Sequence, residues 1–175
     1  MVRQKRVYYN NAVYHVVFRG NNRQHVLADS RDKESLLQTL AKYKDRFGFR
    51  FHGFVLMDNH AHLVLGTDQV ANISKIMQAV LLSYSLKFRK KYNYVGHVWQ
   101  GRFKSNAIDG EAYIKDCLEY IHNNPVRANI TDSPEHYPWS SYFLYSGFIN
   151  ASIENIIKLD KYGDTSSAND GYSKG

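Results

Sequence analysis

The stretch FRFHGFVLMDNHAHLVLG, residues 49–66, decides the fold. Two apolar runs flank the residues Met-Asp-Asn-His at 57–60, and short polar side chains between such runs are typical of a tight turn. The pattern predicts an antiparallel hairpin with one strand over residues 49–57 and the other over residues 60–66. Further strands are expected at residues 13–19 and 102–108.

Three segments around this hairpin repeat apolar residues at helical spacing. They cover residues 31–47, after the capping candidates Asp29 and Ser30, residues 73–92, and residues 111–123, where Pro125 ends the helix because its ring cannot continue the hydrogen-bond ladder. The order β-α-β-β-α-β followed by a further helix predicts an α+β fold. We expect a ferredoxin-like antiparallel sheet with helices on one face and an additional C-terminal helix.

Composition bounds the class of protein before any motif is considered. The chain has 175 residues and a formal charge of +7, enough length for a single domain, which we expect over residues 1–162. The polar segment 163–175 is expected to be a disordered tail. A lone cysteine, Cys117, excludes an internal disulfide and a Cys-rich zinc module. No apolar stretch long enough for a signal peptide or a membrane span follows the basic N-terminus, so we expect a cytoplasmic protein.

The charge is distributed unevenly along the chain. Residues 1–108 carry 18 Lys and Arg against 6 Asp and Glu, a net charge of +12, whereas residues 109–175 carry 5 against 10, a net charge of −5. A basic body of this size indicates a polyanionic partner, because neutralising phosphates releases counterions and drives binding. The alternative is that the excess charge only keeps the protein soluble.

Two histidines open the second strand of the hairpin. Side chains alternate across a strand, so His60 and His62 project from the same face while Ala61 points away. Two imidazoles placed in this way can share one metal ion. They can equally be a pair of hydrogen-bonded structural histidines, and the pattern alone leaves both interpretations open.

The third predicted helix carries another pair of polar residues. Tyr120 and Asn124 are four residues apart and therefore neighbours on one side of the helix, at the flank of its apolar stripe. A residue at the flank is held by the core and still reaches a substrate. The alternative for Tyr120 is a packing or rim position, since the chain has 14 tyrosines.

Two further segments combine basic residues with polar or aromatic ones. The run HVWQGRFK at residues 97–104 can stack bases and hold phosphates, or it can form an amphipathic edge strand with its aromatic residues in the core. The loop at residues 19–23 offers two guanidinium groups, those of Arg19 and Arg23, that can clamp a phosphate.

Five motifs, in this order, resemble one family. They are YHVVFRGNNRQ, GFVLMDNHAHLVL, HVWQGRFKS, YIHNNPVRA and HYPWSSY, and they span residues 14–142. The set resembles the single-tyrosine HUH transposases, which are related to insertion-sequence transposases, and among them the REP-associated tyrosine transposases. Members of that group are metal-dependent endonucleases that act on single-stranded DNA beside hairpins in repetitive palindromic elements.

The resemblance implies a role for particular residues. His60 and His62 match the metal-binding pair, Tyr120 matches the nucleophile, and Asn124 matches the position of a third ligand, where the wider insertion-sequence class has Gln. One Mg²⁺ or Mn²⁺ ion and a 5′-phosphotyrosine intermediate are implied, with either a monomer or a homodimer as the active form. The DNA-binding candidates are Arg19, Asn22, Arg23, Trp99, Gln100, Arg102, Lys104 and Arg127.

Two questions stay open from the sequence. The base that deprotonates Tyr120 can be His122, Lys115 or a metal-bound water. The alternative function is a hairpin-binding protein that descends from a transposase and does not cleave DNA. The presence of His60, His62 and Tyr120 together favours cleavage, because a protein that only binds DNA has no use for all three.

Overall fold

The computed structural model describes residues 9, 11–68 and 70–163. Four antiparallel strands form one sheet in the order β2-β3-β1-β4. The elements are β1 (Val13–Arg19), α1 (Ser30–Phe47), β2 (Arg50–Leu56), β3 (His60–Gly66), α2 (Ile73–Tyr92), β4 (Lys104–Ile108), α3 (Glu111–His122), α4 (Asn124–Arg127), α5 (Tyr142–Ser146) and α6 (Ala151–Glu154), with short 3-10 turns at Asn21–Arg23 and Pro134–His136. The predicted ferredoxin-like α+β order is confirmed.

The sheet separates two layers of different size. On one face, alternate strand residues such as Val16 and Leu63 pack with the apolar sides of α1 and α2 in the main core. On the opposite face, Val55 and Val64 pack against Ile114, Leu118 and Ile121 of α3 in a smaller cluster. The additional helix therefore covers the face that α1 and α2 leave open, which is also the face of His60 and His62.

Some predicted boundaries need correction. The first hairpin strand ends at Leu56 rather than residue 57, because the backbone N–H of Met57 donates to the carbonyl of His60 and so closes the turn. The fourth strand covers Lys104–Ile108 rather than 102–108. Before it, Gly101 adopts φ 64°, a left-handed conformation that breaks the extended backbone. The first helix begins one residue earlier than expected, at Ser30, with Asp29 as its N-cap.

The prediction that the third helix ends before Pro125 is confirmed to within one residue, but the helical turn that follows was not predicted. The helix α3 ends at His122, one residue before the predicted end, but the chain then makes a further helical turn, α4, over Asn124–Arg127. Pro125 lies in the first turn of α4, where its missing N–H has no intrahelical partner to lose. This turn contains both Asn124 and Arg127.

Two further predictions concern the C-terminal segment and the relation of the chain to a membrane. The predicted tail at 163–175 lies outside the described residues except for Gly163, and the domain limits 1–162 stay a prediction. Among the helices of the described ranges, none has the length and apolar character needed to cross a membrane.

Candidate active site on the third helix and the sheet

The turn that precedes His60 is held by three separate segments. The carbonyls of Asp58 and Asn59 accept hydrogen bonds from the backbone N–H groups of Leu27 and Gly20, both at 2.8 Å. The buried ammonium of Lys33 forms a salt bridge of 2.8 Å with the Asp58 carboxylate. The start of β3 is therefore fixed on both sides, and with it the position of His60.

His60 and His62 lie on the face of the sheet that α3 covers, with ring centroids 5.3 Å apart. Each ring uses its Nδ1 atom for a hydrogen bond: His60 with Oδ1 of Asn59 at 2.6 Å, and His62 with Nε2 of His15 at 2.9 Å. Because the amide oxygen only accepts, His60 donates from Nδ1 and presents a lone pair at Nε2. Among the described residues, no hydrogen bond occupies Nε2 of either His60 or His62.

Burial keeps these imidazoles neutral. It lowers the pKa of His62 to about 3, with smaller contributions from the neighbouring charges of His15, His60 and Arg19. Burial also lowers the pKa of His60 and of His15. Near neutral pH the rings are therefore unprotonated, which is the form that can coordinate a metal ion.

Tyr120 reaches the histidines from α3. Its ring lies edge-on to both His62 and His15, with centroids 6.1 Å apart in each case, and 42% of the residue remains exposed. The guanidinium of Arg127 lies 4.9 Å from the centroid of the Tyr120 ring. Sheet and helix thus bring together a pair of histidines and an accessible phenol, as the sequence predicted for His60, His62 and Tyr120.

Asn124 follows Tyr120 by four residues, at the start of α4. Its Nδ2 atom is buried and has no hydrogen-bond partner among the described residues. Since the two ends of an amide are assigned from their partners, the opposite orientation places Oδ1 at that buried point. An orphaned amide of this kind fits a ligand position for a hard divalent cation, which prefers oxygen.

These donors fit an incompletely coordinated metal ion. In the described part of the chain, no group of three His, Cys, Asp or Glu residues could hold a metal ion. A third protein ligand at this site would be of another residue type, and the buried amide of Asn124 is the candidate for it. Two imidazole nitrogens and one amide oxygen leave positions of a six-coordinate ion for water and phosphate oxygen.

Several predicted DNA-binding residues line one cavity beside the histidines. Arg19 lies opposite His60 in the register of β1 and β3, and its carbonyl accepts from the N–H of Gln100 at 2.8 Å. The cavity measures about 300 Å³ and is lined by Val17, Phe18, Arg19, Gln100, Arg102 and Lys104. The exposed Asn22 and Arg23 follow β1 in the 3-10 turn, so they lie at the same end of that strand as Arg19.

Trp99 occupies a different environment from the other candidates. Its indole N–H donates to the carbonyl of Leu81 at 3.2 Å, and its ring packs edge-to-face on Phe18 with centroids 4.9 Å apart. Phe103 from the same motif is buried. The structure therefore favours the packing interpretation for these two aromatic rings, while Gln100, Arg102 and Lys104 are exposed.

The two protein bases considered for Tyr120 have partners elsewhere. His122 is buried and its Nε2 forms a hydrogen bond of 2.8 Å with Oγ of Ser141. Two residues along a helix project in nearly opposite directions, so His122 and Tyr120 do not share a side of α3. Lys115 forms a salt bridge of 3.0 Å with Glu111 at the start of the helix.

Two residues that the sequence pattern does not single out, His15 and Asn59, form hydrogen bonds with the paired histidines. Strand alternation places His15 on the same face of β1 as Arg19, but only the pairing of β1 with β3 brings it to His62. Asn59 was assigned to the turn alone. The presence of a histidine on another predicted strand was the only hint in the sequence. To show that His15 lies beside His62, it would also have required knowledge of the β1–β3 register.

Comparison with known proteins identifies the family and the fold. The profile of the family described as "Transposase IS200 like" matches residues 8–124. A solved structure of a REP-associated tyrosine transposase bound to a REP hairpin aligns with a TM-score of 0.70 at 19% identity, covering 99% of this chain and 100% of that chain. A putative transposase from Deinococcus radiodurans R1 aligns with a TM-score of 0.49 at 19% identity, covering 70% of this chain and 97% of that one. No curated protein matches the chain significantly.

Proposed function

Since this chain belongs to the IS200-like transposase family, we propose that it is a metal-dependent endonuclease and strand transferase for single-stranded DNA, with Tyr120 as its nucleophile. The observation that carries the proposal is the edge-on contact of the exposed Tyr120 with His62, made by two elements far apart in sequence. A tyrosine with only a packing role would be expected to be buried, whereas Tyr120 is accessible and contacts a neutral histidine.

The chemistry is an exchange of phosphodiesters. The Tyr120 oxygen attacks the scissile phosphorus as its proton leaves, and the bond from phosphorus to the 3′-oxygen breaks. The products are a 5′-phosphotyrosine and a strand that ends in a 3′-hydroxyl once that oxygen has taken up a proton. No bond energy is lost to water, so a 3′-hydroxyl can attack the adduct in reverse and transfer the strand without ATP.

The metal site consists of Nε2 of His60, Nε2 of His62 and the Asn124 amide oxygen. A bound Mg²⁺ or Mn²⁺ would polarise the scissile phosphate and neutralise charge as the bond breaks. The hydrogen bonds at the two Nδ1 atoms fix how the two rings are turned toward that position. The orphaned amide of Asn124 supports the third ligand assigned to it.

DNA would approach along the cavity beside His60. Arg19, Arg102 and Lys104 give it cationic walls, and Gln100 offers hydrogen bonds. The turn with Asn22 and Arg23 extends this surface, and Arg127 lies over the nucleophile itself. We therefore expect phosphate contacts at the cavity and at Arg127.

The substrate is proposed to be a single strand next to a hairpin. The solved transposase with a REP hairpin shares the fold over nearly the whole chain, which supports a hairpin of a repetitive palindromic element as the partner here. We place the protein in the cytoplasm, associated with the nucleoid when it is bound to DNA, as a monomer or a homodimer.

The test is a covalent-adduct assay with Tyr120→Phe. Labelled single-stranded oligonucleotides that carry hairpins, taken from palindromes flanking the coding region, are incubated with Mn²⁺ or with a chelator and run on a denaturing gel. We expect a shifted, protease-sensitive band that requires the metal and disappears in Tyr120→Phe, because the variant lacks the attacking oxygen, while DNA affinity stays within a few-fold.

Tyr113→Phe is the matched control, since Tyr113 is also exposed on α3. It should form the adduct as the wild type does. A Tyr120→Phe protein that still forms the adduct would remove Tyr120 from the nucleophile role. Tight binding without any adduct in the wild type would indicate the non-cleaving hairpin-binding protein instead.

A further inference from the structure

The contact between His15 and His62 is a directed hydrogen bond within the plane of the two rings. The ring planes differ by 16° and the centroids are 5.2 Å apart, while the Nε2–Nδ1 distance is 2.9 Å. The centroid distance exceeds the Nε2–Nδ1 distance by the length of two centroid-to-nitrogen radii. Both nitrogens therefore lie close to the line that joins the two centroids. The rings are side by side rather than face to face, the arrangement in which an N–H points at a lone pair.

One proton lies between these two nitrogens. The ring to which it is bonded determines whether Nε2 of His62 has a free lone pair for a cation. If His15 donates, neutral His62 carries its own proton on Nε2 and cannot coordinate a cation there. If His62 donates from Nδ1, its Nε2 atom on the far side of the ring keeps a free lone pair. The geometry is the same in both cases, so the two states differ only in the position of protons.

We infer that His15 is a positioning residue: its Nε2 atom accepts the Nδ1 proton of His62 and thereby holds Nε2 of His62 ready for the divalent cation. The inference rests on the metal site of the proposed function. It assigns His15 to the same task that Asn59 performs for His60, whose Nδ1 must donate to an amide oxygen. Both histidines then present Nε2 with a free lone pair, which is the state in which a neutral imidazole can coordinate an ion.

The position of His15 suits this task, and among the described residues no other hydrogen bond uses its Nε2 atom. His15 stands on β1 opposite Val64, within the sheet, so its backbone is fixed by pairing on both sides. Its ring is also in edge contact with Tyr120, with centroids 6.1 Å apart. The ring therefore lies between helix and sheet, where it can hold His62 in one orientation.

The first test reads the tautomer of His62 in metal-free protein. Long-range ¹H–¹⁵N correlation spectra of histidine-labelled protein distinguish a ring protonated on Nδ1 from one protonated on Nε2, and the His62 signals are identified by their loss in His62→Gln. We expect the Nδ1-protonated form in the wild type. We expect a shift toward the Nε2-protonated form in His15→Ala. An Nε2-protonated His62 in the wild type would overturn the inference.

The second test measures Mn²⁺ affinity directly, by the paramagnetic resonance signal of the free ion. Loss of such a supporting hydrogen bond typically weakens metal binding about 10- to 100-fold, and we expect a loss in this range for His15→Ala. His15→Gln should bind within a few-fold of the wild type, because its amide oxygen can accept the same proton. Unchanged affinity in His15→Ala would also overturn the inference.

His52→Ala is the control for general damage to the sheet. His52 is a buried histidine of β2 with one ring hydrogen bond, from Nδ1 to the carbonyl of Asp160. Its removal should leave both the His62 tautomer and the Mn²⁺ affinity unchanged. Wild-type protein that binds no Mn²⁺ overturns the metal site of the proposed function, and in that case the tautomer spectra still decide the direction of the hydrogen bond.

Discussion

His122 is the buried histidine of α3 that the proposed chemistry does not use. Its ring is bonded to Ser141, whose Oγ also accepts from the N–H of Phe54, so it ties α3 to the central part of β2. Burial lowers the pKa of His122 to about 4. The residue therefore has a structural role that depends on its staying neutral.

This burial makes stability depend on pH in a defined direction. Between the unfolded pKa of 6.5 and the folded pKa of about 4, the unfolded chain binds a proton at His122 that the folded protein does not bind. The free energy of unfolding should therefore fall as the pH is lowered through this window, and should not depend on this group above it. Urea unfolding of the wild type between pH 4 and pH 7.5 measures the fall.

The variant His122→Gln isolates the contribution of this one group, because the pKa values of His15, His52, His60 and His62 are lowered as well. The variant should be less stable at pH 7 but should lose less stability than the wild type on acidification. If the two curves stay parallel from pH 6.5 to pH 4, His122 is not the group that titrates.

At the scale of elements, a glycine of β2 lies at the point where α3 packs closely on the sheet. A Cβ atom added at Gly53 of β2 would lie 2.4 Å from Cδ2 of Leu118 and 2.9 Å from Oγ of Ser141. Leu118 belongs to α3, the helix that carries Tyr120. The absence of a side chain at residue 53 therefore allows α3 to lie close enough to the sheet for Tyr120 to contact His62.

Gly53→Ala should push α3 outward and misplace the nucleophile. Overpacking of this kind typically costs about 1–3 kcal/mol in the free energy of unfolding. We expect adduct formation to fall at least ten-fold at a temperature where the variant is fully folded, with DNA affinity within a few-fold. The rate of adduct formation and the urea midpoint measure the two effects separately.

Combining Gly53→Ala with Leu118→Ala is the matched control, since it removes the side chain that the new methyl group meets. Adduct formation should recover in part even though the double variant is not more stable than the wild type. Wild-type cleavage by Gly53→Ala alone would show that the position of α3 does not depend on this contact.

The elements that the sequence predicted well are those whose signal is local. The turn at 57–60, the periodicity of α1 and α2 and the pairing of His60 with His62 all lie within single segments, and each is present. The turn α4 was missed because Pro125 indicates a stop and equally suits a first helical turn. Whether Pro125 ends a helix or begins a new helical turn depends on the residues that follow it.

The parts of the site that could not be predicted depend on register. His15 contacts His62 only because Val17 pairs with His62 in the sheet. The sequence of β1 does not indicate that register. Trp99 faces the core because residues 98–100 pair with the chain around Gly20, beyond the end of β1. A local alternation of aromatic and basic residues is compatible with either face of such a segment.

At the scale of the whole molecule, the positive charge and the proposed nucleophile lie in different parts of the chain. In the described part of the chain, the sheet, α1 and α2 all lie within the basic residues 1–108, whereas α3, which carries Tyr120, lies within the acidic residues 109–175. Arg127 is one of five Lys and Arg residues in that second part and stands over Tyr120. We therefore expect the attraction for DNA to come mainly from the first part of the chain, whereas α3 carries the proposed nucleophile.

The salt dependence of DNA binding tests this division. Each phosphate contact to a single strand contributes about 0.7 to the slope of log affinity against log salt concentration. Arg102→Ala and Lys104→Ala should each weaken binding and reduce the slope by about this amount, because both exposed side chains line the cavity beside Arg19. Titrations of a labelled hairpin oligonucleotide at several salt concentrations measure both quantities.

Lys158→Ala removes a cation of the same charge from the other edge of the sheet. Lys158 is exposed, and the chain two residues later pairs with Phe51 of β2, the edge strand opposite β4. If DNA follows the cavity, this variant should keep the wild-type slope while Arg102→Ala and Lys104→Ala do not. Equal losses in all three variants would mean that the whole basic surface attracts DNA without a defined path, and unchanged slopes at Arg102 and Lys104 would place the path elsewhere.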